Sequence, residues 1–203
     1  MGGSGKGHGN TQGRGEGEMN IWGHLKTITR HKIMVMRHCF RVGLYFQGIM
    51  HDMSKYSLTE FVPGCVFYQG TRSPNSAERE QTGVSMAWLH HKGRNKHHYE
   101  YWIDYGIGEN KAMQGMKIPK KYMVEMFCDR VAASKIYNGK KYTDGDSWEY
   151  YERGKTYAIL HPESRAMLEE LLWMLKEQGE ERTFWYIKNV VMKKDYPYGK
   201  NNG

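Results

Sequence analysis

Apolar residues recur at intervals of three, four or seven positions along much of the chain, which is the periodicity of an amphipathic helix. The first such series comprises Ile21, Leu25, Ile28, Val35, Val42 and Phe46. Gly43 and Gly48 weaken the end of this segment, because glycine is unfavourable inside a helix. The series predicts a long helix that starts at Ile21 and loses its regularity near Gly43.

Residues that start and stop helices divide the rest of the chain into shorter helical segments. Ser57 and Glu60 have the spacing of a capping box, and Pro63 can end or kink the helix that they start. Further predicted helices cover residues 77–91, 120–137, 148–160, 162–177 and 180–193. No run of residues alternates between apolar and polar as a strand does, so the predicted fold class is all-α.

The composition indicates one globular domain. The chain has 203 residues, of which 39% are hydrophobic, and this is enough for a domain with a real core. The glycine-rich residues 1–18 predict a disordered tail, and residues 19–203 predict a single helical domain that includes the C-terminal helices. No apolar run approaches the roughly 20 residues of a membrane span, and no secretory signal is visible, so we expect a cytoplasmic protein without a membrane partner.

Cysteine use and net charge limit the classes of function further. Cys39, Cys65 and Cys128 lie far apart and form no CxxC pair, which excludes a zinc ribbon and is typical of a reducing compartment. The net charge is +8, which suits a small anionic substrate. The positive charges are spread along the chain rather than gathered in a block, so the charge alone does not favour a nucleic-acid partner.

Histidines are concentrated in one part of the chain. Ten are present, and eight of them lie between positions 24 and 98: His24, His31, His38, His51, His90, His91, His97 and His98. His24, His31 and His38 are spaced as one helical stripe, and the RHK context favours His31 as the one that acts. Asp52 adjoins His51. Imidazole and carboxylate together suit divalent ions such as Zn, Mn and Fe, so this pattern predicts a metal site.

Asp129 is the candidate for a carboxylate from a later helix. It lies between Phe127 and Val131 in the predicted helix 120–137, where a lone buried carboxylate is costly without a cation. The alternative is a surface acid that pairs with Arg130 or Lys135.

The stretch HHKGRNKHH offers further ligands. His91 and His98 are seven residues apart, as are His90 and His97, and seven residues are two turns of a straight helix. We favour His91 and His98, with His90 and His97 as the second choice. Arg94 and Lys96, within the same stretch, suit contact with an anionic substrate.

The order His31, then His51-Asp52, then Asp129 resembles the H…HD…D signature of the HD-domain superfamily of metal-dependent phosphohydrolases, and HDMSK resembles its H-D-x-x-K variant. The resemblance implies an HD-like helical bundle with a C-terminal helical extension. It implies that these four residues bind a first metal and that Asp52 bridges to a second where two are present. It also implies that Lys55 approaches the anionic part of the substrate.

Several longer stretches resemble an uncharacterised bacterial and phage family thought to belong to this superfamily. They are HLKTITRHK, GIMHDMSKYSLTEF, AWLHHKGRNKHHYEYW and FCDRVAASKIY. This resemblance covers roughly residues 24–195 and brings no established activity.

The expected function is therefore a metal-dependent phosphohydrolase that acts on a small phosphate ester or nucleotide with one or two divalent ions (Mn, Fe, Zn, Co or Mg). Asp52 and Lys55 are the expected catalytic residues. One alternative is a non-haem diiron oxygenase of the same fold, which needs two of the histidines at 90–98. Another is a non-catalytic protein that binds a metal or a ligand.

Overall fold

α-Helices make up most of the protein in its computed structural model, which describes residues 19–107 and 112–198. The helices are α1 (Ile21–Arg41), α2 (Tyr45–Met50), α3 (Leu58–Val66), α4 (Pro74–Thr82), α5 (Met86–Lys92), α6 (Lys120–Asn138), α7 (Asp146–Gly154) and α8 (Pro162–Tyr186). Short 3-10 turns cover Met53–Tyr56, Tyr99–Trp102 and Gly139–Lys141, and a π-turn at Ile187–Val191 extends α8. The all-α prediction is confirmed, whereas the predicted tail at 1–18 lies outside the described residues.

A small antiparallel hairpin is the exception to the helical pattern. Strand β1 (Ile103–Tyr105) pairs with β2 (Met113–Gly115), with Ile103 opposite Gly115. The sequence did not predict it, because three residues are too few to show an alternating pattern. Gly115 allows the hairpin to pack closely, since a Cβ atom there would lie 2.6 Å from the carbonyl oxygen of Ile159.

Helix α6 is the centre of the core, and it contacts both α1 and α8. Its buried side chains are not confined to one stripe, which is the pattern of a helix covered on most sides. They include Met123, Val124, Met126, Phe127, Cys128, Val131 and Ala132. Helix α8 contributes Leu168, Leu171, Leu172 and Leu175 to the same core. Because α6 is enclosed, any polar side chain that it carries on its inner face is also enclosed.

The predicted helix over 77–91 is wrong as a single element. Gly83 adopts a left-handed conformation with φ of 80°, and it ends α4 after Thr82. A second helix, α5, then starts at Met86, and the Ser85 side chain accepts a hydrogen bond from the Trp88 backbone N–H. A left-handed glycine is a common way to end a helix, and here it changes the direction of the chain that carries His90 and His91.

The predicted capping box at Ser57 and Glu60 is also wrong. Ser57 does precede α3, but its side chain makes no capping hydrogen bond. The Glu60 carboxylate turns instead toward His90 and His91. Pro63 lies inside α3 and does not end it, because the helix continues to Val66.

The C-terminal helices agree with the two predicted segments, 162–177 and 180–193, although they form one bent element. Gly179 has φ of 79° and ψ of 171° and marks the bend within α8. Within the described residues, no helix is both long enough and apolar enough to span a bilayer.

Candidate metal centre

Four side chains from three parts of the chain form a first cluster: His31 from α1, His51 and Asp52 after α2, and Asp129 from α6. The His31 Nε2 atom lies 2.9 Å from Asp129 Oδ1, and His51 Nε2 lies 3.3 Å from Asp52 Oδ2. The candidate ligand atoms all lie within 4.8 Å of one another. Such spacings fit ligands arranged around one ion at about 2.0–2.2 Å.

A second cluster adjoins the first and shares Asp52 with it. It consists of Asp52, His91, His97 and His98. Asp52 Oδ1 lies 3.2 Å from His91 Nε2 and 3.4 Å from His97 Nε2, while His91 Nε2 lies 2.9 Å from His98 Nε2. The two carboxylate oxygens of Asp52 therefore face different clusters, Oδ2 the first and Oδ1 the second.

All six residues predicted as metal ligands lie in these two clusters, and the second cluster also includes His97. His90, its partner in the second-choice pair, lies outside them, and its Nδ1 atom is 2.6 Å from Glu60 Oε1. The heptad spacing predicted that His91 and His98, or else His90 and His97, would act as a pair. The structure does not follow this spacing, because α5 ends at Lys92 and the chain then turns. The Asn95 amide donates hydrogen bonds to the His91 carbonyl and to Ser54 Oγ within this turn.

Several buried polar atoms in the clusters have no hydrogen-bond partner within the described part of the chain. They are His31 Nε2, His51 Nε2, His97 Nε2 and Asp52 Oδ1. An unsatisfied buried polar group costs about 1–3 kcal/mol, so four of them in one place are expensive to keep. A divalent ion in each cluster would satisfy all four atoms. The donor set, neutral imidazoles with carboxylates, fits Zn, Mn, Fe or Co.

Two buried glutamates form a layer behind the histidines. Glu125 Oε1 lies 3.0 Å from His51 Nδ1 and 3.2 Å from His97 Nδ1. Glu60 Oε2 lies 2.7 Å from His91 Nδ1. A carboxylate that accepts from Nδ1–H leaves Nε2 free to bind a metal, and such partners are common around metal-bound histidines.

Burial and charge act in opposite directions on the carboxyl groups of the clusters. Burial alone would raise the pKa of Asp52, but His51 and Lys55 hold it well below its usual range. Burial likewise opposes ionisation of Asp129, yet the neighbouring imidazoles of His31 and His51 hold its pKa well below the usual value. Both carboxylates are therefore ionised at neutral pH and ready to bind a cation.

The histidines of the clusters fall into two groups, one with raised and one with lowered pKa values. Burial would lower the pKa of His51 and of His91, but the charge of Asp52 raises both. Burial lowers the pKa of His31 and, together with the neighbouring His97, lowers that of His98 well below its usual value. The neutral histidines can accept a metal directly, whereas His51 and His91 must first release a proton.

The three cationic residues predicted to contact substrate are placed differently. Lys55 Nζ lies 2.6 Å from Asp52 Oδ2, and about a quarter of its side chain is exposed (27%). Lys96 points away from the clusters, with Nζ over the rings of Tyr101 and Tyr122 at 5.6 and 5.9 Å. Arg94 is exposed and bonds to His91 through its backbone N–H, but among the described residues its side chain forms no hydrogen bond or ion pair with a candidate ligand. Lys55 is thus the one of these three that lies at the candidate centre.

Sequence reasoning did not identify Glu60 and Glu125 as part of the site. Glu60 was assigned to a helix cap, because its spacing from Ser57 fits that role equally well. Glu125 carried a usable signal: it precedes Asp129 by four residues, which places both acids on one face of α6.

The fold and the clusters define a helical protein with a candidate two-metal centre built mainly from histidine and aspartate. Residues 20–174 match the model of a family of unknown function, DUF5662, and the chain belongs to that family. No curated protein and no solved structure matches the chain.

Proposed function

We propose that this protein is a metal-dependent phosphohydrolase with an HD-like helical fold, and that its substrate is a small phosphate ester or nucleotide. The observation that carries the proposal is the convergence of two clusters on Asp52, with buried Nε2 atoms that lack hydrogen-bond partners among the described residues. Paired sites that share a carboxylate suit in-line displacement at phosphorus, because both the attacking and the leaving oxygen can be stabilised.

The first ion would be held by His31, His51, Asp52 and Asp129, and a second by Asp52 with His91, His97 and His98. A divalent ion in such a site supplies a Lewis acid for the phosphoryl oxygen and lowers the pKa of bound water to near neutrality. The carboxylates of Glu60 and Glu125 accept hydrogen bonds from the Nδ1 atoms of three ligand imidazoles and so hold them in the required orientation.

Lys55 is the residue best placed to bind the substrate's negative charge. Its ammonium group is beside Asp52. Burial lowers its pKa, but the charges of Asp52 and Asp129 and the hydrogen bond to Asp52 together raise it above its usual value, so it stays cationic. Part of its side chain is open to solvent, which leaves a route for an anionic group. A phosphate at this position would exchange a hydrogen bond from water for a charge-assisted bond from Lys55.

The test combines metal analysis with hydrolysis of phosphate esters. Metal-free protein is supplied with Mn, Co, Fe, Zn or Mg, and release of phosphate is measured from nucleoside monophosphates and from nitrophenyl phosphate mono- and diesters. We expect Asp52→Asn to lose both metal binding and turnover, with an unchanged circular dichroism spectrum. Asp104→Asn is the control, because Asp104 is an exposed acid outside both clusters. Full turnover in the Asp52 variant would contradict the proposal.

A diiron oxygenase of the same fold is the second candidate, and the three histidines of the second cluster favour it. Oxygen chemistry needs two ions, whereas hydrolysis needs only one. Dioxygen consumption by the Fe(II)-loaded protein, without release of phosphate from any ester, would favour this alternative. Metal binding with neither activity would favour a non-catalytic binding protein.

A further inference from the structure

We infer that Glu125 is a positioning residue that joins the two metal sites, so that the two ions bind as a coupled pair. The inference rests on the proposed metal centre, but it concerns a residue that is not one of the proposed ligands. It is carried by the contacts of one carboxylate oxygen.

Glu125 Oε1 is shared between one histidine of each cluster. It lies 3.0 Å from His51 Nδ1 and 3.2 Å from His97 Nδ1, and the two imidazole rings are 4.3 Å apart between centroids. The side chain comes from the buried helix α6, and only 5% of Glu125 is exposed. One carboxylate oxygen is therefore in contact with a ring of each cluster.

The shared acceptor decides which nitrogen of each ring carries its proton. A carboxylate oxygen can only accept, so both Nδ1 atoms must donate and both Nε2 atoms face away from Glu125. Those Nε2 atoms are buried and have no hydrogen-bond partner in the part of the chain that the structure describes. Each lies near Asp52: His51 Nε2 at 3.3 Å from Oδ2 and His97 Nε2 at 3.4 Å from Oδ1. Asp52, the two rings and Glu125 therefore form a closed loop through both clusters.

Coupling follows from this loop. An ion that binds in the first cluster fixes His51, and the fixed ring orders Glu125. Glu125 in turn orders His97 before the second ion arrives. The second ion then loses less conformational entropy on binding, which is positive cooperativity without a change of fold.

Glu60 and Glu78 provide matched comparisons. Glu60 is equally buried, but among the candidate ligands it contacts only His91, so it serves the second cluster alone. Glu78 is a buried acid with 6% exposure whose carboxylate bonds to Ser85 Oγ and the Met86 N–H, away from both clusters. The three glutamates share burial and hydrogen bonding and differ in which metal site they touch.

The experiment titrates Co(II) into metal-free wild type, Glu125→Met, Glu60→Met and Glu78→Met, with calorimetry for affinity and visible absorption for ligand geometry. We expect two ions in the wild type. Glu125→Met should weaken both by about 10–100-fold and abolish cooperativity, because second-layer partners have effects of this size. Glu60→Met should weaken one ion, and Glu78→Met neither. Glu125→Gln keeps an uncharged acceptor and should restore part of the affinity.

The outcomes separate this inference from the proposed function. Wild-type protein that binds no Co(II) would contradict the metal centre itself. Two ions bound with unchanged affinity and cooperativity in Glu125→Met would overturn the inference and leave the metal centre intact. A third wild-type ion that Glu125→Met alone removes would make Glu125 a ligand and also overturn it. Thermal unfolding of each variant in chelator shows whether the metal-free fold is retained.

Discussion

Asp52 is unusual in its backbone as well as in its contacts. It has φ of 53°, and it is the one non-glycine residue with positive φ among those the structure describes. Aspartate and asparagine tolerate this left-handed conformation better than most residues, whereas alanine there is strained. The conformation turns the chain sharply between α2 and the 53–56 turn, and it allows one carboxylate to face two clusters. Asparagine is therefore the proper test substitution, because it removes the charge without straining the backbone.

His38 is a buried histidine outside the metal clusters, and it should make the stability of the protein sensitive to pH. Burial lowers its pKa from 6.5 to about 4, although a hydrogen bond from Nδ1 to the Cys128 carbonyl opposes the shift. Glu180 also raises this pKa, while Lys135 and Arg41 lower it. The folded protein therefore keeps His38 neutral at pH values where the unfolded chain protonates it.

The sign of the effect follows from proton binding. Below pH 6.5 the unfolded state binds a proton at His38 and the folded state does not until about pH 4, so stability falls as the pH falls. Between pH 7 and pH 5 the loss from His38 should be about 2 kcal/mol. His38→Asn removes this pH-dependent contribution to the free energy of unfolding. Urea unfolding in chelator at both pH values measures it, and parallel loss of stability in wild type and variant would contradict the assignment.

At the scale of elements, two helices that each follow a serine begin in different ways. Ser57 precedes α3 and Ser85 precedes α5. Ser85 Oγ accepts from the Trp88 N–H at 3.0 Å and donates to Glu78 Oε2 at 2.5 Å. Ser57 Oγ is buried and has no partner in the described part of the chain. At the start of α3 the Glu60 backbone N–H donates to the Ser57 carbonyl oxygen instead of Ser57 Oγ, and the Glu60 carboxylate bonds to histidines.

We expect Ser85→Ala to lower the free energy of unfolding by about 1–2 kcal/mol, because the variant loses a helix cap and the hydroxyl that donates to Glu78 Oε2. Ser57→Ala should change it by less than about 0.5 kcal/mol, since no hydrogen bond is lost. Chemical denaturation of both variants in chelator measures the pair. Equal losses would mean that Ser57 caps α3 after all.

At the scale of the whole molecule, the clusters tie together distant parts of the chain. His31 comes from α1, His51 and Asp52 from the connection between α2 and α3, and Asp129 from α6. No such arrangement exists in an unfolded chain, so the free energy of metal binding adds to the free energy of folding. Four carboxylates and several imidazoles enclosed together should otherwise weaken the metal-free fold.

Metal should therefore raise the thermal stability of the protein. A free ion concentration 100 times the dissociation constant stabilises the folded state by about 2.7 kcal/mol for one site. For a chain of this length the melting temperature should rise by roughly 5–10 °C. Differential scanning calorimetry with and without Co(II) measures the shift, and chelator should reverse it. Asp52→Asn should show no shift, and an equal shift in that variant would point to binding elsewhere.

The sequence was sufficient to predict features that depend on residues close to one another along the chain. Helix α6 follows from its apolar spacing and its flanking Pro119 and Gly139, and α1 follows from the series that starts at Ile21. It was not sufficient where one residue could serve two roles. The spacing of Ser57 and Glu60 satisfies a local cap, and nothing in the local pattern reveals that histidines 30 residues later compete for the carboxylate.

The candidate site also has features that the sequence predicts and features that it does not. The sequence by itself determined the helical class, and with the resemblance it predicted six ligands: His31, His51, Asp52, His91, His98 and Asp129. Only the tertiary structure decided that His97 joins them while His90 does not, that each oxygen of Asp52 faces its own cluster, and that Glu125 lies between His51 and His97. The physical reason is that helix periodicity states which face a side chain occupies, whereas convergence depends on the turn after α5 and on how α6 packs against α1.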